Sequence, residues 1–254
     1  MSARVYLIGA GPGDPELLTL KAVRCLGIAD VVLIDDLVDR RTLDHVRNDA
    51  RVIEVGKRGG KPSTPQRVIE RLMLRLVRRS LVVARVKGGD PYVFGRGGEE
   101  ALLLARHGIA YEVVSGISAG IAVPAAAGIP VTHRGMSRGV TFISGQTADD
   151  EEPDWCALAK SGTTLAIFMG LARLPRIAAR LLASGLSPRT PAVLIERGTL
   201  PDQRVLHATL ATLAARAAAA GVEGPSMIVI GEVASLAEQL GPSIEGSATL
   251  QRAA

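Results

Sequence analysis

The feature that most constrains this chain's fold is a regular alternation of short apolar runs with helical stretches. Residues 5–8, 31–34, 52–55, 81–86 and 111–114 are runs dominated by Val, Ile and Leu, most of them stopped by Gly or Asp. The first two are apolar throughout rather than at every second position, as expected of strands covered on both faces of a parallel sheet. Parallel neighbours need crossover helices, and candidates lie between the runs. Asp14 before Pro15 is placed to cap a helix whose apolar side would carry Leu17, Leu20 and Val23, with Cys25 nearby. Thr64 and Pro65 open a second, with Val68, Ile69, Leu72, Met73 and Leu76 at helical spacing. A third spans 97–107 and stops at Gly108; a fourth, of small residues, spans 118–127. The first half therefore reads as an α/β domain with a mostly parallel sheet.

After Gly145 the texture changes. Residues 146–154 are polar and acidic and form the best candidate linker. Beyond them come a strand at 163–169, a helix at 173–184 closed by Gly185, and two strands at 192–197 and 204–210 spaced as an antiparallel pair. A helix at 209–220, a strand at 227–230 and a helix at 234–240 follow. This predicts a second, mixed α/β domain. The expected division is 1–145, 146–241 and a poorly ordered tail at 242–254.

Composition narrows the function. Aromatic residues are 3% of the chain, which disfavours stacking on single-stranded nucleic acid. The net charge of +5 suits an anionic ligand, but the basic residues are scattered rather than gathered into a nucleic-acid groove. Cys25 and Cys156, and His45, His107, His133 and His207, lack metal-ligand spacing, so no metal is expected. No signal peptide opens the chain and no apolar run could span a bilayer, which points to a cytoplasmic protein without membrane partners.

Two glycine-rich segments follow predicted strands. In Gly9-Ala10-Gly11-Pro12-Gly13-Asp14-Pro15, Asp14 stands where a dinucleotide fingerprint needs its third glycine. A carboxylate at a helix N-terminus occupies the place a phosphate would take, and Pro12 has no amide to donate. The loop suits close approach of a ligand without phosphate. The second segment runs from Lys87 through Gly88, Gly89, Asp90, Tyr92, Val93, Phe94 and Arg96 to Glu99 and Glu100. It sits at the carboxyl edge of the sheet, where ligands bind in open α/β folds. Asp90 could accept from a ribose hydroxyl or an amine, and Arg96 could hold a substrate carboxylate. Glu100 reads as favourable charge at a helix N-terminus.

These two segments, with Gly116-Ile117-Ser118-Ala119, resemble the tetrapyrrole methylases, and within them the uroporphyrinogen-III C-methyltransferases, in order from about residue 5 to 233. The resemblance implies two α/β domains with S-adenosylmethionine in the cleft between them, usually in a homodimer. It implies two successive C-methylations of uroporphyrinogen III, giving precorrin-2 for sirohaem or cobalamin synthesis and S-adenosylhomocysteine as by-product. By motif, Pro12, Gly88, Gly89, Asp90, Val93, Ser118, Ala119, Met169 and Gly198 should line the cofactor pocket. Asp35 and Lys57 match positions with acid–base roles, and Arg96, Arg134 and Lys57 are candidate anchors for the carboxylate-rich substrate. The chain departs from the pattern at Ser118, where threonine is common, and at Asp36, where a basic or polar residue is common. A carboxylate beside Asp35 can raise its neighbour's pKa if both point the same way.

Other readings are a methylase of a later precorrin, a non-catalytic binding protein, and a serine hydrolase. The last rests on Gly116-Ile117-Ser118-Ala119-Gly120, which matches a nucleophile elbow, followed in order by Glu196 or Asp202 and His207.

Overall fold

The computed structural model describes residues 4–56, 64–79, 81–146 and 151–240, with the backbone of 248–249. The chain forms two compact units, Met1–Ser118 and Ala119–Ala254.

The first unit holds β1 (Arg4–Gly9), α1 (Leu20–Gly27), β2 (Val31–Ile34), β3 (Arg51–Glu54), α2 (Gln66–Val77), β4 (Val82–Lys87), α3 (Gly97–Arg106) and β5 (Tyr111–Val114). Its sheet has the order β3-β2-β4-β1-β5, and every pair is parallel. β1, β2, β4 and β5 divide their side chains between two cores. Tyr6, Ile8, Val32, Ile34, Ala84 and Val86 pack with Ala22, Cys25 and Leu26 of α1. Leu7, Leu33 and Val83 pack with Ile69 and Met73 of α2 and Leu104 of α3. The chain leaves β1 toward β2 and leaves β4 toward β5, on opposite sides. The carboxyl ends of these adjacent strands therefore form the topological switch point, where the loops diverge and open a crevice.

The start of α1 differs from the sequence expectation. Asp14 caps only a single 3-10 turn, Pro15–Leu17, by accepting from the Glu16 N–H at 2.9 Å. The backbone then extends through Leu18 and Thr19, and the Thr19 hydroxyl caps α1 through the Ala22 N–H. The helix thus begins one turn later, with a different phase. Leu20 is 91% exposed, and Ala22, Cys25 and Leu26 form the buried side instead.

The second unit holds α4 (Ala119–Ala126), β6 (Val140–Ser144), α5 (Trp155–Lys160), β7 (Thr164–Phe168), α6 (Leu174–Ala183), β8 (Pro191–Glu196), β9 (Arg204–Thr209), α7 (Leu213–Ala219), β10 (Ser226–Ile230), α8 (Ala237–Leu240) and β11 (Ala248–Thr249). The sheet order is β11-β9-β8-β10-β7-β6. β6–β7 and β9–β11 are parallel; the other pairs are antiparallel, including the expected β8–β9 pair. The sheet is mixed, as the sequence predicts. Residues 119–145 read with the first domain in sequence, but α4 and β6 belong to the second unit. β6 is hydrogen-bonded to β7, and the Phe142 and Phe168 rings meet edge to face at 5.8 Å with Gly120 against them. Of the segment 242–254, only the β11 backbone lies within the described residues.

Candidate active site

Three glycines at the switch point touch backbone to backbone. A Cβ on Gly9 would lie 2.5 Å from the Gly116 nitrogen and the Gly89 oxygen, and one on Gly116 would lie 2.2 Å from the Gly89 oxygen. No side chain fits among them, so the ends of β1, β4 and β5 close together. The loops after β1 and β4 are tied by Gly11 N–H to Gly89 O at 3.2 Å and Gly89 N–H to Gly11 O at 2.6 Å. Asp90 completes the knot. Its Oδ2 accepts the Gly116 N–H at 3.1 Å and its Oδ1 accepts the Tyr92 N–H at 2.8 Å. The candidate cofactor residues Pro12, Gly88, Gly89, Asp90 and Val93 therefore lie on or beside this knot. Ser118 ends the first unit, 6% exposed.

Backbone strain concentrates in the same class of loop. The described non-glycine residues with positive φ are Phe94, Arg96, Met169, Arg197 and Thr199. Such conformations cost about 1–3 kcal/mol each and persist where surrounding contacts impose them, often at ligand sites. In the second unit, β7 and β8 both run antiparallel to β10, so their carboxyl ends share one sheet edge. Met169 follows β7 there, half exposed, and Gly198 follows β8. A Cβ on Gly198 would overlap the Val123 side chain of α4 at 2.4 Å, so glycine is needed for packing at that edge. Ala119 opens α4 itself.

Asp35 follows β2 and lines an open pocket of about 70 Å³ with Asp36, Arg40, Glu54 and Gly56. Behind it lies a buried charge cluster that the sequence reading missed. Arg85 reaches Asp35 Oδ1 at 2.7 Å and Glu100 Oε1 at 3.0 Å, while Lys87 Nζ lies 3.3 Å from Glu100 Oε1 and 3.7 Å from Asp35 Oδ2. Gln66 of α2 donates to the same Glu100 oxygen at 3.0 Å. Arg85, Lys87 and Glu100 are 1%, 3% and 0% exposed. Burial, with the Arg85 charge beside it, lowers the Lys87 pKa. Glu100 is therefore the buried counterion of a cluster, not merely helix N-terminal charge. A signal for this was present: a cation at position 85 inside an otherwise apolar central strand must find a partner.

Arg96 stands apart from that cluster. Its guanidinium is half exposed and pairs in bidentate fashion with Glu99, at 2.9 and 2.7 Å. That pair lowers the Glu99 pKa. Lys57 lies outside the described residues. Arg134 is in an exposed turn after α4.

The hydrolase constellation does not assemble. The Glu196 carboxylate is taken by Arg204 at 2.8 Å and by the N–H groups of Glu223 and Gly224, and Asp202 by Arg197 at 2.6 Å. No hydrogen bond joins either acid to His207, which sits on β9 opposite Val193. Among the described residues no helix is long and apolar enough to cross a membrane.

The switch-point glycines carry no side chain at the knot, and the first turn has no free anion position. The knot brings bare backbone to the crevice, and the carboxylate of Asp14 already fills the anion position of the first turn.

Comparison with known proteins agrees. Uroporphyrinogen-III C-methyltransferase from Pseudomonas aeruginosa is 55% identical over 233 residues, 92% of this chain and 95% of that one. Siroheme synthase 2 of Aeromonas hydrophila is 50% identical over 93% of this chain, which spans half of that longer protein. The crystal structure of uroporphyrin-III C-methyltransferase from Thermus thermophilus, complexed with S-adenosyl homocysteine, superposes with a TM-score of 0.78 at 44% identity, covering 92% of this chain and 99% of that one. With the model of the tetrapyrrole (corrin/porphyrin) methylases matching residues 4–214, the chain belongs to that family.

Proposed function

We propose that this protein methylates uroporphyrinogen III at carbon, twice in succession, with S-adenosylmethionine as methyl donor, and so forms precorrin-2. The observation that carries the reading is the glycine knot at the switch point, where the loops after β1 and β4 meet backbone to backbone and Asp14 takes the Glu16 N–H of the first turn. The similarity to the Pseudomonas and Thermus enzymes over nearly the whole chain supports the substrate and the donor. Similarity to a siroheme synthase supports a place in sirohaem synthesis, and the same product could serve cobalamin synthesis. A homodimer in the cytoplasm is the assembly and location we assign, on the family resemblance.

When bound, S-adenosylmethionine supplies an electrophilic methyl group on sulfur. The chain's first task is alignment. Pro12, Gly88, Gly89, Asp90, Val93, Ser118, Ala119, Met169 and Gly198 hold the donor so that the electron-rich pyrrole carbon meets the methyl in line. Such alignment is worth up to about 7–11 kcal/mol. Methylation leaves a cationic ring that must lose a proton from a neighbouring bridge carbon. Asp35 takes that proton, Lys57 acts as an acid or an electrostatic anchor, and Arg96 holds a substrate carboxylate in exchange for Glu99.

The test is incubation with uroporphyrinogen III and methyl-labelled S-adenosylmethionine, followed by mass spectrometry. Sequential gain of two labelled methyl groups is expected. No transfer to uroporphyrinogen III, but transfer to a more highly methylated precorrin, would move the protein to a later step.

A further inference from the structure

We propose that Glu100, acting through Arg85 and Lys87, is a positioning residue for Asp35: the buried cluster holds the carboxylate in one orientation. The inference rests on the reading of Asp35 as the base.

The geometry of Arg85 carries it. Its Nε is bound to Glu100, one terminal nitrogen to Asp35, and the other to the carbonyls of Leu33 at 3.4 Å and Val86 at 3.2 Å. A planar guanidinium held at three nitrogens cannot swing, so the Asp35 oxygen it meets is fixed from the buried side. Asp35 remains 28% exposed on its other side, facing the pocket. Two cations face Asp35 from β4. Glu100, from α3, accepts from both through the same Oε1 and offsets part of their charge. Asp36, Arg40 and Glu54 border the same pocket, with Arg40 and Glu54 paired to each other. Lys57, Arg58 and Lys61 lie outside the described residues.

A purely structural purpose explains the cluster poorly. Gln66, Arg85 and Lys87 all converge on Glu100 Oε1, while its Oε2 is buried with no hydrogen-bond partner among the described residues. A buried ionic group of this kind is commonly replaceable by apolar side chains of similar size without loss of stability. Its burden is sensible if it serves Asp35, which alone in the cluster reaches the pocket.

Two variants test this, Glu100→Gln and the double variant Arg85→Met/Glu100→Met. Measurements use the full chain with S-adenosylmethionine and uroporphyrinogen III: kcat against pH, both KM values, thermal unfolding, and S-adenosylhomocysteine affinity. Removing only the Glu100 charge leaves two uncompensated cations at Asp35, so the acidic limb of the kcat profile should move to lower pH. Removing Arg85 with Glu100 should move it to higher pH. Each shift should be about one pH unit, and the loss of a fixed Asp35 orientation should lower the plateau kcat in both variants. Cofactor affinity should stay within about twofold, since these variants change no contact of the glycine knot. If Glu100→Gln fails to fold, the apolar double variant carries the test. A folded variant with parental kcat and an unmoved limb overturns the proposal. Asp35→Asn, run in parallel, separates the premise. If it keeps full turnover, Asp35 is not the base. Carboxyl NMR titration of Asp35 in the two variants then decides: opposite shifts sustain the positioning role, and coincident titrations overturn it.

Discussion

Replacing Gly116 by alanine should break the switch-point knot, and the size of the effect follows from the geometry. The new Cβ would lie 2.2 Å from the Gly89 carbonyl oxygen and 2.7 Å from two Gly9 backbone atoms. All three obstacles are backbone, so no side-chain rotation relieves them. Overpacking of this kind costs about 1–3 kcal/mol. Moving the strand end also breaks the Gly116 N–H bond to the Asp90 carboxylate, and a bond to a charged group contributes about 1.5–3 kcal/mol. The sum is about 2.5–6 kcal/mol, a large share of the stability of a domain. Gly98→Ala is the control: its Cβ meets nothing within 4 Å, and inside α3 alanine is preferred by about 0.5–1 kcal/mol. Urea unfolding followed by far-UV circular dichroism measures both. Trp155, the only tryptophan, lies in the second unit's core and reports that unit separately. Calorimetry with S-adenosylhomocysteine should find binding weakened in Gly116→Ala and kept in Gly98→Ala. A Gly116→Ala protein within about 0.5 kcal/mol of the parent would show that the close approach imposes nothing.

Asp90→Asn keeps the shape but removes the charge that receives two backbone N–H groups, so S-adenosylhomocysteine affinity should fall about tenfold, about 1.4 kcal/mol. An unchanged isotherm would refute the role. Arg96→Ala should raise KM for the tetrapyrrole more than for the methyl donor; loss of cofactor binding alone would mean that Arg96 does not hold substrate. Ser118→Ala should keep substantial turnover, and a serine-directed fluorophosphonate should leave the parent unlabelled; covalent labelling at Ser118 would revive the hydrolase reading. Burial lowers the His207 pKa, so the unfolded chain takes up its proton first as pH falls. That residue's contribution is therefore fully present above its unfolded value of about 6.5 and is lost as pH drops through the lower folded value. Unfolding of His207→Gln should depend less on pH between 7 and 5 than that of the parent.

Much of the fold was readable because its strands are local patterns. The apolar runs at 31–34 and 111–114 coincide with β2 and β5, and the helix stop at Gly108 matches a glycine with φ +62°. Helix phase was harder. Whether Asp14 or Thr19 starts α1 depends on which side can pack on the sheet, and Leu20 lost that contest to Ala22 and Cys25. The strand at Val140–Ser144 is weakly marked in the sequence, because Thr141 and Ser144 interrupt its apolar run and only Ile143 is buried.

By itself the sequence pointed to a ligand that backbone can approach closely and that carries no phosphate at the first turn. Glycines at 9, 11, 88, 89 and 116 and a carboxylate at 14 are chemical facts about backbone access and charge, true wherever the chain goes. Only the tertiary structure decided which residues stand behind Asp35. Arg85 and Glu100 lie 15 residues apart, and Asp35 meets Arg85 across 50 more. Their meeting depends on β4 lying beside β2, with α3 covering the face on which Arg85 and Lys87 point inward. Strand order is settled by long-range pairing and by burial of both sheet faces, and no local pattern records it.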